Sequence, residues 1–234
     1  MPTTVLPTSV IADPHVTNFQ GKEFFFYGAH DECFCLISSS NFYLNVRLYD
    51  TNSKAPIMTE AALVVGNEQV GLNKYFVSSL EERLSYIIAQ KRNDESLVLP
   101  CGHEEKFDTG LVNKKGDSIL GCFRVAHDHV HIDTGNFITK IYRCTDKDHN
   151  LIGPPHLDIY HEVGEIGVLT QGVWPHGLVG QSINFEIEEN YQGEEMDYRV
   201  PDLFSHEFKY DRFKQQELSN KKWFVGTDKK SISM

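Results

Sequence analysis

Phe42-Tyr43-Leu44-Asn45-Val46-Arg47-Leu48-Tyr49 alternates side chains with a period of two. That is the pattern of a strand with one buried face. Phe42, Leu44, Val46 and Leu48 fall on one side, and Tyr43, Asn45, Arg47 and Tyr49 on the other. Upstream, Phe24 to Gly28 and Cys33 to Ile37 are short aromatic and branched runs bounded by Gly, Asp and Ser, which read as two more strands. Downstream, Ala61 to Val65 is another. Beyond Pro100 come Ile119 to His131, Phe137 to Tyr142, Leu157 to His161, Ile166 to Leu169 and Ser182 to Ile187, separated by turn dipeptides at Gly116, Gly135 and Gly153. Strands at about 8–12-residue spacing predict an all-β, antiparallel β-sandwich. Only Ser79 to Lys91 competes, because Leu80, Leu84, Ile87 and Ile88 approach helical spacing and Ser79, Glu81 and Glu82 suit a helix start. The rival reading of that stretch is a strand pair.

Composition agrees with a packed core. Of 234 residues 40% are apolar, with 15 Phe and 10 Tyr, and the formal net charge is −11. Such a field repels phosphate backbones and anionic bilayers, and the one dense basic run, Lys221 to Lys230, reads as a solvated tail. No apolar run approaches the roughly 20 residues that span a bilayer as a helix. Met1 to Ile11 has neither a basic n-region nor a continuous apolar h-region. We therefore expect an extended N-terminal arm over residues 1–12, a single β-rich domain over 13–215 and a C-terminal tail over 216–234. Five cysteines, Cys33, Cys35, Cys101, Cys122 and Cys144, include no CxxC pair and leave the compartment open. On a strand Cys33 and Cys35 share a face, as buried thiols or as partners in a bridge.

Three motifs in order carry a family resemblance. Ala12-Asp13-Pro14-His15 through Gly21, then Phe24-Phe25-Phe26-Tyr27-Gly28 and Phe34-Cys35-Leu36-Ile37, resembles a DPHF, DG, FxFxG, FCL opening. His156-Leu157-Asp158-Ile159 and His176-Gly177-Leu178-Val179-Gly180-Gln181 are similar to an AHLD strand and an HGVLGQTY turn. Tyr198-Arg199-Val200 to Phe204-Ser205 and Phe208 to Phe213 resemble a closing segment ending CKFSRF, with Phe208 in place of its Cys. Together these resemble the plant root-cap and late-embryogenesis-related family and, more distantly, von Willebrand type D modules and the C-terminal modules of inter-alpha-inhibitor heavy chains. The resemblance implies a type-D-like all-β domain of secreted, extracellular proteins that is a structural or binding module without established catalysis. Its partners would be proteins, matrix components or glycans. Residues 51–113 match none of these motifs. In the physical reading of the same residues, Pro14 biases Asp13 to an extended form, and Gly177 and Gly180 bracket two apolar residues as in a tight turn needing positive φ or close backbone approach.

The strongest chemical pattern is Ala126-His127-Asp128-His129-Val130-His131-Ile132-Asp133. On a single strand His127, His129, His131 and Asp133 would share a face, about 7 Å apart. Two imidazoles could then hold Zn²⁺ or a similar ion, completed from a neighbouring strand by His156, Asp158 or His161. The competing reading is a polar, solvent-facing strand. Asp13 and His15 with Asp31 or Asp50 form a second candidate, for Ca²⁺, although an ordered turn explains Asp13 more simply. There is no GxSxG, GxxxxGK[ST] or strand-borne GxGxxG motif. Cys101-Gly102-His103 places a thiol near an imidazole only in sequence. Trp174-Pro175-His176 with Tyr191 offers aromatic surface for a glycan. The expectation is a non-catalytic module, with a metal-dependent enzyme built on His127, His129 and His131 as the first alternative and a glycan-binding protein as the second.

Overall fold

The polypeptide builds two antiparallel sheets that enclose one apolar core. The structure, a computed structural model, describes residues 7–11, 15–39, 41–49, 56–67, 70–79, 88–93, 95–113, 115–143, 156–164, 175–183 and 195–205. Its strands are β1 (Thr8–Ile11), β2 (His15–Thr17), β3 (Glu23–Phe25), β4 (Cys33–Ser39), β5 (Phe42–Tyr49), β6 (Ile57–Asn67), β7 (Gly71–Ser78) and β8 (Ile88–Asn93). They continue as β9 (Glu95–Leu99), β10 (Glu104–Val112), β11 (Ser118–Val125), β12 (His129–Asp133), β13 (Phe137–Arg143), β14 (Leu157–Val163) and β15 (Arg199–Val200). Two short 3-10 turns, Gly180–Ile183 and Glu195–Tyr198, are the only helical pieces among the described residues. No helix among those residues is long and apolar enough to cross a membrane.

One sheet has the order β10-β11-β12-β13-β14-β1-β2-β3 and the other β15-β4-β5-β6-β7-β8-β9. Each is largely a meander in which neighbours in sequence are neighbours in space. The alternation read from β5 holds on its inner face, where Phe42, Leu44, Val46 and Leu48 are buried. From the opposite sheet come Phe123, Val130, Ile132, Phe137, Ile141, Leu157 and Ile159, so the two inner faces form one cluster. At one end, polar side chains clasp the sheets together. The Asn136 amide donates to Asn41 Oδ1 (3.0 Å), Thr134 Oγ1 donates to Asn136 Oδ1 (2.7 Å), and the Asn41 amide reaches the Thr134 carbonyl (3.4 Å).

Several expectations change. Within the arm expected over 1–12, Thr8–Ile11 is strand β1, hydrogen-bonded between β14 and β2, while residues 1–6 and 12 lie outside the described residues. Val10 explains this, since its side chain is fully buried opposite Val16 and Ile159. Ile119 to His131 is two strands and a turn instead of one strand. Of the helical candidate, Ile88 onward is strand β8, and residues 80–87 lie outside the described residues. The strand expected over Phe24 to Gly28 ends at Phe25; Phe26 turns inward, edge-on to Phe34 at 4.9 Å. Ser182 and Ile183 end a 3-10 turn, while Ile166 to Leu169 and residues 206–234 fall outside the described residues.

Strand β4 is buried along its whole length, which a two-layer sandwich does not by itself require. Its outer face, with Cys33 and Cys35, is covered by Val200 and Leu203. Asn45, on the face of β5 expected to be wet, is buried for the same reason: its amide donates to the carbonyls of Leu203 (2.9 Å) and Ser205 (2.5 Å). Cys33 and Cys35 are thiols with no bridge between them, and burial pushes that of Cys33 up. The backbone edge of β4 is closed by the segment after Pro175. Ser38 and His176 exchange N–H···O bonds of 2.8 Å each way, and the amides of Leu178 and Val179 donate to Cys35 (3.0 Å) and Leu36 (2.9 Å). Gly177 makes this approach possible, because its φ is +96° and a Cβ there would stand 2.6 Å from the Leu36 oxygen. Gly180 has ordinary clearance and no positive φ, so only the first of the paired glycines is needed for its conformation.

Candidate functional site

The predicted histidine cluster lies on the outer face of the eight-stranded sheet, but not as one strand would present it. Strand β11 stops at Val125, and the backbone turns through His127 and Asp128, with the Ala126 amide donating to the His129 carbonyl (2.9 Å). Asp is a common turn residue because its carboxylate competes for local donors. His127 is therefore exposed in a turn and leaves the row. His129, His131 and Asp133 do share the outward face of β12, with Val130 and Ile132 buried behind them.

His129 is already engaged. Its Nδ1 lies 2.8 Å from Asp128 Oδ1, and this bond holds the Asp128 carboxyl below the usual carboxylate range. Its ring stacks on Tyr142 at 4.9 Å and 28°. The His131 ring lies 6.5 Å from that of His129, and partial burial lowers its pKa. Register sets Tyr142 between His129 and Asp158, so the cluster extends across β12, β13 and β14 as imidazole, phenol and carboxylate. His156 sits just ahead of β14 with Nε2 3.9 Å from Asp158 Oδ1. Tyr160 continues the face, edge-on to Tyr142 at 5.5 Å.

His161, the other candidate ligand from β14, belongs to the opposite side. Strand parity puts it with Leu157 and Ile159, fully inside, where Nδ1 lies 3.0 Å from Thr139 Oγ1 and burial pushes its pKa down to about 3. Among the described residues, no three His, Cys, Asp or Glu side chains come together as a metal-holding group. The calcium candidate is likewise dispersed. His15 stacks on Phe25 and approaches Glu23, Asp31 binds Arg47 (2.8 Å), and Asp13 and Asp50 lie outside the described residues. His103 turns to Glu105 (3.4 Å) rather than to a thiol, and Cys101 is exposed. Of the aromatic surface expected at Trp174, His176 and Tyr191, His176 is buried and the other two are outside the described residues.

Two arrangements escape a reading of the sequence because they depend on strand register. The Tyr75 hydroxyl donates to Glu105 from the opposite sheet, while its ring stacks on Phe123 at 3.9 Å and 5°; burial raises the Tyr75 pKa. At the β3 edge of the eight-stranded sheet, His15, Phe25 and Tyr27 form a row of near-parallel rings. Aromatic enrichment is visible in the sequence, but the pairing of His15 with Phe25 is not. What the outer face presents is a broad array of rings, imidazoles and carboxylates suited to contact and hydrogen bonding. No protein-family model matches this sequence, and no curated protein matches it.

Proposed function

We propose that this protein is a non-catalytic β-sandwich module with a structural or partner-binding role, of the root-cap and type D-like kind that its motifs resemble. One observation carries the reading: a part of each motif, Phe34 to Ile37, His176 to Gln181 and Tyr198 to Val200, meets at a single joint along β4. The Phe19 amide donates to Ser182 Oγ (3.0 Å), Leu178 and Val179 bond the backbone of Cys35 and Leu36, and the Gln181 amide donates to Tyr198 Oη (2.6 Å). Arg199 and Val200 then pair with Phe34 and Cys33. These parts of the motifs thus hold β4 and its neighbours together, which fits a module whose partners are proteins, matrix components or glycans outside the cell.

The alternative is a metal-dependent enzyme centred on His129 and His131. Metal analysis of the protein after incubation with Zn²⁺ or Ca²⁺ and desalting separates the two. The binding-module reading expects far less than one equivalent, with wild type and His129→Ala alike. One equivalent of Zn²⁺ that disappears in His129→Ala would overturn it.

A further inference from the structure

The β3 edge of the eight-stranded sheet carries strongly exposed aromatic side chains. Phe25 is 52% exposed and Tyr27 58%. His15, directly across from Phe25 in register, stacks on it at 5.0 Å and 18°, and Tyr27 follows at 6.1 Å and 25°. The inward neighbours explain why these rings face out: Val16 is fully buried and Phe24 packs on the core, so parity turns His15 and Phe25 to solvent. Beside the row, the Glu23 carboxylate lies 3.7 Å from His15 Nε2. A donor and an acceptor therefore flank the aromatic surface.

We propose that this row binds a neutral polysaccharide, its sugar rings packing their C–H groups against the exposed surfaces of the stacked Phe25 and Tyr27 rings while Glu23 and His15 exchange hydrogen bonds with hydroxyls. This rests on the binding-module reading and names its ligand class. Charge selects the class, because a protein of net charge −11 repels acidic glycans and no Lys or Arg belongs to the stack. Edge geometry argues against a protein strand as occupant. β3 has only three residues, Glu23–Phe25, too few for a lasting backbone ladder with a partner.

Native electrophoresis of the full-length protein in gels containing galactomannan, xyloglucan or hydroxyethylcellulose tests the idea, with polygalacturonate and heparin gels run in parallel. The expected result is retardation by at least one neutral polymer. The apparent Kd should rise about tenfold or more in Phe25→Ala and in Tyr27→Ala, and stay near wild type in Tyr27→Phe, which keeps the ring. Leu120→Ala, which alters an exposed apolar side chain on β11 towards the opposite edge of the same sheet, should bind like wild type. Thermal melts of the variants show whether any loss comes from unfolding, and Tyr27→Phe against Tyr27→Ala decides the case if Phe25→Ala melts early. Retardation by no neutral polymer, equal retardation of Tyr27→Ala and wild type, or retardation by the acidic polymers alone would overturn the proposal. None of those outcomes touches the metal measurement on which the broader reading stands, so the two failures can be told apart.

Discussion

Gly177 shows how much one missing Cβ can decide. With φ at +96° and the Leu36 carbonyl in the way, Gly177→Ala combines backbone strain with a backbone clash. We expect a loss of about 2–4 kcal/mol in urea unfolding. Gly180→Ala should stay within about 1 kcal/mol of wild type, since its added methyl meets only ordinary contacts. Spacing alone treats the two glycines as a pair, because it reveals a turn without revealing which residue takes the left-handed conformation. His161 supplies a second prediction. Burial depresses its folded pKa to about 3, so on acidification the unfolded state takes up the proton first. The stability is complete above the unfolded pKa of about 6.5 and drains away as pH falls towards 3. Between pH 7 and 4.5 this group should cost about 2.5 kcal/mol. Urea titrations of wild type and His161→Leu at those two pH values should differ by that amount in their pH dependence. Sequence alone groups His161 with His156 and Asp158 as ligands; parity along β14 separates them, and parity is fixed only once Leu157 and Ile159 are known to face the core.

Elements are legible wherever one face meets the core and the other meets water. β5 and β13 can be read nearly to their ends, because nothing beyond the sheet disturbs their inner alternation. The outer face of β5 defeats the same reading at Asn45, since the cover comes from a segment about 160 residues away that no local pattern announces. That cover makes a prediction. Asn45→Ala removes the donor that holds the Leu203 and Ser205 carbonyls, at a cost of about 1–3 kcal/mol. It should also loosen the lid over Cys33 and Cys35. Thiol labelling followed by mass spectrometry should find Cys101 modified ahead of those two in both proteins, and Cys33 and Cys35 modified faster in the variant than in wild type. Unchanged protection of those two thiols would mean that Val200 and Leu203 hold the lid without Asn45. The candidate site is legible as residue types but not as an arrangement. Alternation places His129 and His131 on a common face, whereas the turn that removes His127 and the register that inserts Tyr142 come from pairing across strands.

For the whole molecule, an all-β sandwich follows from turn spacing and aromatic content, but which strands share a sheet, and in what order, does not. Sandwich order is decided by which edges find each other, and the two decisive pairings, β1 with β14 and β15 with β4, are remote in sequence. Removing residues 1–11 should therefore do more than trim an end. It takes away the strand that joins β14 to β2, and we expect loss of a cooperative thermal transition. A transition that survives the deletion would show that β2 and β3 hold without their bridge. The same pairing governs birth on the ribosome. Val10 emerges early yet finds Ile159 only after most of the polypeptide has followed it, so β1 spends synthesis without its partner. Closure of the large sheet is then a late, high-contact-order event, and the interval before it is when this protein most needs a chaperone.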